Sequence, residues 1–408
     1  MTETTATEPT RHRHRRAAAE HGHHRVTFLE LFFDLVFVFA VTQLSHALIH
    51  HPTPVGLLEV TILAMAVWWV WIYTSWATNW ADPDKPAVRC MMFALMLAGL
   101  ILSMAIPKAF EGRALIFALA YVAMQAGRTG FMVAVMAEYS PAARLNMLRI
   151  LYWFLASGAL WIAGALAGGA AQIVLWIAAV ALEYAGPALR FFVPGMGYSK
   201  VDEWTIEPAH FAERCGLFVI IALGESILVS STTFAAAEWT GAAAAAFFAA
   251  FVAVAAMWAI YFNIGQERGA IAMKSAAQVG AVGRAYTYVH LFIVGGIIFT
   301  AVADEFVLAH PTGTIDGKTL ASLIGGPFAY VLGCTLFKRA TAGWYPLSHL
   351  AGMVFLGLLI PAASVMQPWQ MTLATSLVLV VVAVWERVSL GPDGVSKIGH
   401  PSQRNGAA

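Results

Sequence analysis

The chain has 408 residues, of which 60% are apolar and 12% charged, and its formal net charge is +1. Soluble domains carry roughly twice that charged fraction, so a soluble globular fold is excluded, and a near-neutral chain gives no electrostatic basis for nucleic-acid binding. Cys90, Cys215 and Cys334 lie far apart in apolar stretches; buried free thiols are expected, not a disulfide framework or a zinc site.

Residues 1–27 read as a disordered basic arm, with Arg11, Arg13, Arg15, Arg16 and Arg25 among His12, His14, His21, His23 and His24. Such a segment rests on anionic lipid headgroups; no metal or cofactor is expected there or elsewhere. The first apolar run, 29–49, is too long for a signal-peptide core, contains Asp34 and lacks a small-residue cleavage site, so it is read as a retained helix. Five more runs follow at 56–79, 89–107, 113–136, 147–168 and 171–193. The second half gives 211–232, 240–263, 284–304, 319–337, 346–366 and 369–388. Each is about the length that crosses a hydrocarbon core as a helix. The expected fold is therefore all-α, a polytopic membrane protein of about 12 transmembrane helices.

Orientation follows from the loops. With the amino terminus in the cytoplasm, every Lys and Arg except Lys108, Arg113 and Lys318 falls on the inner side. Both termini are then cytoplasmic, and a bacterial cytoplasmic membrane is the expected location.

The halves look duplicated. Phe28, Glu30 and Val36 align with Phe211, Glu213 and Val219; Ile72-Tyr73 with Ile260-Tyr261; Gly99, Ile101 and Ala105 with Gly295, Ile297 and Ala301. Ala120-Tyr121-Val122 aligns with Ala329-Tyr330-Val331. The order is kept throughout, which predicts two parallel six-helix repeats, 28–193 and 211–390. A cytoplasmic linker at 194–210 joins them, and 391–408 forms a disordered cytoplasmic tail. An even number of spans per repeat places the pseudo-symmetry axis along the membrane normal, so the first and seventh helices are natural candidates to face each other.

Ionisable groups inside spans are costly and mark pathways, pairs or wet cavities. Glu30 and Asp34 share one face of the first helix, with Thr42 and Ser45 on the same side and His46 at its margin. They suit either an ion pathway or a cap and ion pair at the helix start. Glu213-Arg214 opens the seventh helix, and Glu225 lies about 18 Å further along it, deep in the bilayer. Glu183 and His290 are candidate partners of these carboxylates. Arg128 and Glu386 are near inner helix ends and are expected to snorkel; His349 is a further intramembrane polar group.

The run Glu30-Leu31-Phe32-Phe33-Asp34-Leu35-Val36-Phe37 through His46, and the run Glu213-Arg214-Cys215-Gly216 through Glu225-Ser226, resemble the bacterial low temperature requirement A (LtrA) family across roughly residues 25–390. The resemblance implies a bacterial multi-pass membrane protein associated with growth in the cold. The pattern Glu30-x-Phe32-x-Asp34-x-Val36-Phe37-x-x-Ala40 is more faintly similar to the first helix of the endosomal and lysosomal potassium/proton channels. That family duplicates a six-helix unit with a Phe-Ser-Asp motif; here Phe33 replaces the serine, and Leu217 stands where a second aspartate would be.

The expected function is a channel or transporter for protons or monovalent cations, with Glu30, Asp34, His46, Glu225, Glu183 and His290 as pathway candidates. The alternatives are a membrane-embedded enzyme acting on lipid or an isoprenoid carrier, with the 194–212 loop (Asp202, Glu203, Trp204, Glu207, His210) as a lid, and a stress-related scaffold. No P-loop, dinucleotide fingerprint, zinc-protease motif or nucleophile elbow appears. Lipid is the one partner the sequence requires; nothing in it sets an oligomeric state.

Overall fold

A computed structural model of the chain describes residues 26–200, 207–262 and 276–390. Among the described residues, twelve helices are long and apolar enough to cross a membrane and no strand is formed, the all-α polytopic fold expected. The first six helices are α1 Phe28–His50, α2 Pro54–Trp80, α3 Pro86–Ala105, α4 Ala114–Ala137, α5 Pro141–Ala167 and α6 Gly169–Ala188. The remainder are α7 Pro208–Ala236, α8 Gly241–Phe262, α9 Ala276–Ala309, α10 Gly317–Ala342, α11 Leu347–Leu358 and α12 Pro368–Leu390. A 3-10 turn, Pro361–Ser364, extends α11. The basic arm before residue 26, the tail after 390, and Arg268 and Lys274 lie outside the described residues.

Local chemistry sets the helix ends. At the start of α1 the Glu30 carboxylate accepts from the Thr27 backbone N–H (2.9 Å) while Thr27 Oγ1 accepts from the Glu30 N–H (3.3 Å). This reciprocal pair is a capping box. Ser140 and Asp316 cap α5 and α10, accepting from the Ala143 and Thr319 amides. The first of these starts α5 six residues ahead of the expected span, because a capped, Pro-led turn tolerates Arg144 and Asn146. The uncharged junction between α5 and α6 is a real break: Gly168 and Gly169 have φ of 67° and 55°, a region that favours glycine.

The chain divides into two compact units, Met1–Phe33 with Trp69–Glu207 and Asp34–Trp68 with Pro208–Ala408. In the first unit α4 packs on α3 and α5, and α5 on α6. In the second, α9 packs on α7 and α10, α8 on α12, and α11 on α10 and α12. The α9–α10 seam is made by small residues. A Cβ on Gly296 would stand 2.4 Å from the Tyr330 backbone nitrogen, and one on Gly326 2.6 Å from that of Thr300, so the two backbones touch, as helices in lipid do where glycines permit.

Outward faces carry Leu97, Leu166, Phe248, Val354 and Leu377, apolar side chains suited to hydrocarbon. Cys90, expected to be buried, is exposed on α3, whereas Cys215 and Cys334 are buried as expected. A span rich in apolar residues has more of them than the bundle interior can cover, and Cys90 falls on the uncovered side.

Candidate ion-binding site

The sequence candidates distribute over several stations. Glu30 is fully buried and serves the capping box. One turn further along α1, Asp34 accepts from Arg214 Nη2 of α7 at 2.7 Å, with neither side chain exposed. Arg214, read from sequence as a neighbour of Glu213 at the interface, thus makes an interhelical ion pair. A carboxylate away from water takes the cation within reach.

Glu225 occupies a second station. It is 4% exposed and faces the Thr42 hydroxyl and the His46 ring of α1. Asp34 meets Arg214 and Thr42 meets Glu225, so α1 and α7 run side by side in the same direction. Eleven residues separate Arg214 from Glu225, about 16 Å of helix. Asp34 and Glu225 therefore meet their partners at different heights along α7. The shared polar face of α1 serves two functions at two heights.

A third acid completes this end of the second unit. Asp304 of α9 is 2% exposed and receives the Ser230 hydroxyl of α7 at 3.4 Å. Among the described residues it has no cation within ion-pair distance. Sequence reasoning missed it by ending the ninth span at residue 304, whereas α9 continues to Ala309. Ser226 and Ser230, four apart on α7, were the available signal for a polar stripe facing another helix.

His290 and Glu183 were read as partners of the central carboxylates. The structure gives each other company. His290 is fully buried among Tyr261, whose hydroxyl lies 2.8 Å from its Nε2, and the rings of Trp68, Tyr286 and Phe337. Glu183 accepts from the Tyr121 hydroxyl, from Ser157 Oγ at 2.7 Å and from Trp161 Nε1 at 3.1 Å, all within the first unit. Three donors on two helices, α4 and α5, satisfy its oxygens without a cation.

Arg128 and Glu386 do not snorkel. Arg128 is 2% exposed and donates to Val70 O, Thr74 Oγ1 and Gln125 Oε1. Glu386 is buried with Lys338, whose Nζ lies 2.6 Å from both carboxylate oxygens, and with His349 at 3.4 Å. Lys338, counted from sequence as a loop residue, is in α10 because that helix runs on to Ala342. Polar partners inside the bundle outcompete the distant interface.

Of the proposed lid, Asp202, Glu203 and Trp204 lie outside the described residues. Glu207 exchanges two backbone hydrogen bonds with the Asn79 amide, and His210 is fully buried in the first turn of α7.

Twelve apolar helices enclosing buried acids and their partners define a multi-pass integral membrane protein. More narrowly, the chain belongs to the bacterial low temperature requirement A protein (LtrA) family, whose model matches residues 25–384. It is 39% identical over 368 residues to an uncharacterized protein of Rhizobium meliloti (strain 1021), covering 90% of each chain. No solved structure matches it.

Proposed function

We propose that the protein is a proton-linked channel or transporter of the bacterial cytoplasmic membrane, in which Glu225 and Asp304 take up and release the proton. The supporting observation is a contrast among the buried acids. Asp34 and Glu386 have a cation within ion-pair distance, and Glu183 has three hydrogen-bond donors. Glu225 has a hydroxyl and a histidine as neighbours, and Asp304 a single serine. A carboxyl group so placed in low dielectric holds a proton or exchanges it with whatever reaches it. His46, exposed at the end of α1 beside Glu225, is the residue type that passes protons near neutral pH.

Both termini are cytoplasmic in this reading, from the placement of Lys and Arg in the loops, and the two halves of the sequence, 28–193 and 211–390, descend from a duplicated six-helix ancestor. The ordered residue matches between the halves, Phe28, Glu30 and Val36 with Phe211, Glu213 and Val219 through Ala120-Tyr121-Val122 with Ala329-Tyr330-Val331, support that ancestry. By the family's description, growth at low temperature is the setting in which loss of the flux is expected to show. Proteoliposomes holding a pH-sensitive dye test the reading directly. Wild-type protein is expected to dissipate an imposed pH gradient; flux equal to that of empty vesicles under proton, potassium and sodium gradients alike rejects it.

A further inference from the structure

The contact between Ser230 and Asp304 is short of protons. The Ser230 hydroxyl lies 2.9 Å from the Ser226 carbonyl oxygen, one turn back on α7, and 3.4 Å from Asp304 Oδ2. It has a single proton to give. The nearer acceptor holds it, and the Asp304 contact is the weak branch, outside the usual O–H···O range of about 2.5–3.0 Å. Ser230 therefore presents mostly lone pair to a carboxylate oxygen, and both side chains are buried. Two acceptors facing each other away from water call for a positive charge between them. While Asp304 is neutral its own proton fills that place; once the proton leaves, another cation is needed.

Ser226 supplies a third oxygen. Its hydroxyl is 1% exposed and has no hydrogen-bond partner, a rare condition for a buried side chain. Four residues before Ser230, it shares that residue's face of α7. The helices run in the same direction, since Phe211 packs on Tyr286, with ring centroids 5.8 Å apart, and Ser230 meets Asp304 further along. Ser226 thus stands on the α7–α9 seam, one turn before the level of Asp304.

The charged groups on the surrounding elements are engaged elsewhere. Lys318 of α10 lies 4.9 Å from the Phe306 ring and 3.9 Å from Asp316. Glu225 turns to Thr42 and His46, Glu305 is partly exposed, and His310 is exposed beyond the end of α9. No charged residue is found on α8, and those of α12, Glu386 and Arg387, are near its far end.

We propose that Asp304, Ser230 and Ser226 bind a sodium ion between α7 and α9, in exchange for the Asp304 proton. A single carboxylate balances a single charge where water is scarce, which favours a monovalent ion. Sodium has nearly the radius of calcium, whose oxygen ligands sit at about 2.4 Å. Neighbouring oxygens of an octahedral shell of that size are about 3.4 Å apart, the spacing between Ser230 and Asp304. Potassium is larger and would force them apart. In the exchange the O–H bond of the acid breaks, the proton passes to water, and sodium takes its place on the carboxylate, with water completing the shell. The proposal rests on the reading of Asp304 as a group that releases its proton, and it names the ion that follows.

Thermal unfolding of the purified full-length chain in detergent tests the site, with choline chloride replaced by sodium chloride at fixed ionic strength and mildly alkaline pH. The melting temperature is expected to rise and saturate with sodium but not with potassium. Acidification should raise the half-saturating concentration, because protons compete for the same carboxylate. Ser226→Ala deletes an oxygen that has no partner, so in choline it is expected to unfold at the wild-type temperature. Its half-saturating sodium concentration should be higher by about tenfold or more, and Asp304→Asn should lose the response. Should Asp304→Asn fail to fold, Ser226→Ala decides alone. Absence of a sodium response, an equal response to potassium, or an unchanged half-saturation in Ser226→Ala overturns the proposal. Proton flux measured in choline media separates it from the transport reading. Flux without a sodium response removes the ion site alone; a sodium response without flux under any gradient removes transport and leaves the site.

Discussion

Arg214 of α7 reaches the Asp34 carboxylate of α1 at 2.7 Å where neither side chain is exposed. The second unit thereby ties the helix at the chain's beginning to one from its middle. Removing one member of such a pair strands the other charge, at about 3–5 kcal/mol, while replacing both with apolar groups of similar size is often neutral. Asp34→Leu and Arg214→Met are each expected to destabilise the protein strongly, and the double variant much less. Unfolding by SDS in mixed micelles measures all three. Additive losses would mean the two residues act separately.

The acids without a cation are expected to respond in the opposite way. Glu225→Gln and Asp304→Asn relieve a carboxyl group of desolvation it does not recover through an ion pair, so stability should change by no more than about 0.5 kcal/mol in the unfavourable direction. Proton flux in proteoliposomes should fall by about tenfold or more. Glu30→Gln, which alters a cap, should leave flux near the wild-type level. Equal flux in all three variants would remove the acids from the pathway.

Glu183 offers a test of hydrogen-bond arithmetic. Its two oxygens accept from Tyr121, Ser157 and Trp161. A glutamine there presents one acceptor and an NH₂ group that confronts donors, a mismatch of about 1–3 kcal/mol. Glu183→Gln should therefore be more destabilising than Tyr121→Phe, which deletes a single donor. Thermal unfolding in detergent ranks them.

Two adjacent glycines on α9 form a matched pair. A Cβ on Gly295 meets nothing within 4 Å, whereas one on Gly296 would lie 2.4 Å from the Tyr330 nitrogen. Gly295→Ala should be neutral or slightly stabilising, and Gly296→Ala should cost about 1–3 kcal/mol through overpacking. The difference between neighbours, read from the same unfolding assay, isolates contact from helix propensity.

The number and extent of the spans were legible because lipid imposes one blunt rule, apolar runs of spanning length, which survives without knowledge of packing. Positions of the acids were legible for the same reason: Glu30, Asp34 and Glu225 stand out against apolar neighbours. Their partners were not. Sequence shows that Asp34 shares a face with Glu30, but the cation that meets it, Arg214, lies 180 residues away. Arg128, Lys338 and Glu386 were assigned to the interface because each stands near an apparent helix end. Chain ends of spans extend further than hydropathy indicates once a bundle offers carbonyls and carboxylates inside. Asp304 was lost to the same effect, one turn short of the true end of α9.

The backbone-to-backbone seam between α9 and α10 bears on temperature. Association driven by water's exclusion from apolar surface weakens as a solution cools. Helices in a bilayer are already out of water, and a joint of glycine against peptide is held by dispersion and close fit. Chilling removes little from such a joint. The surrounding lipid stiffens long before this part of the protein has reason to come apart.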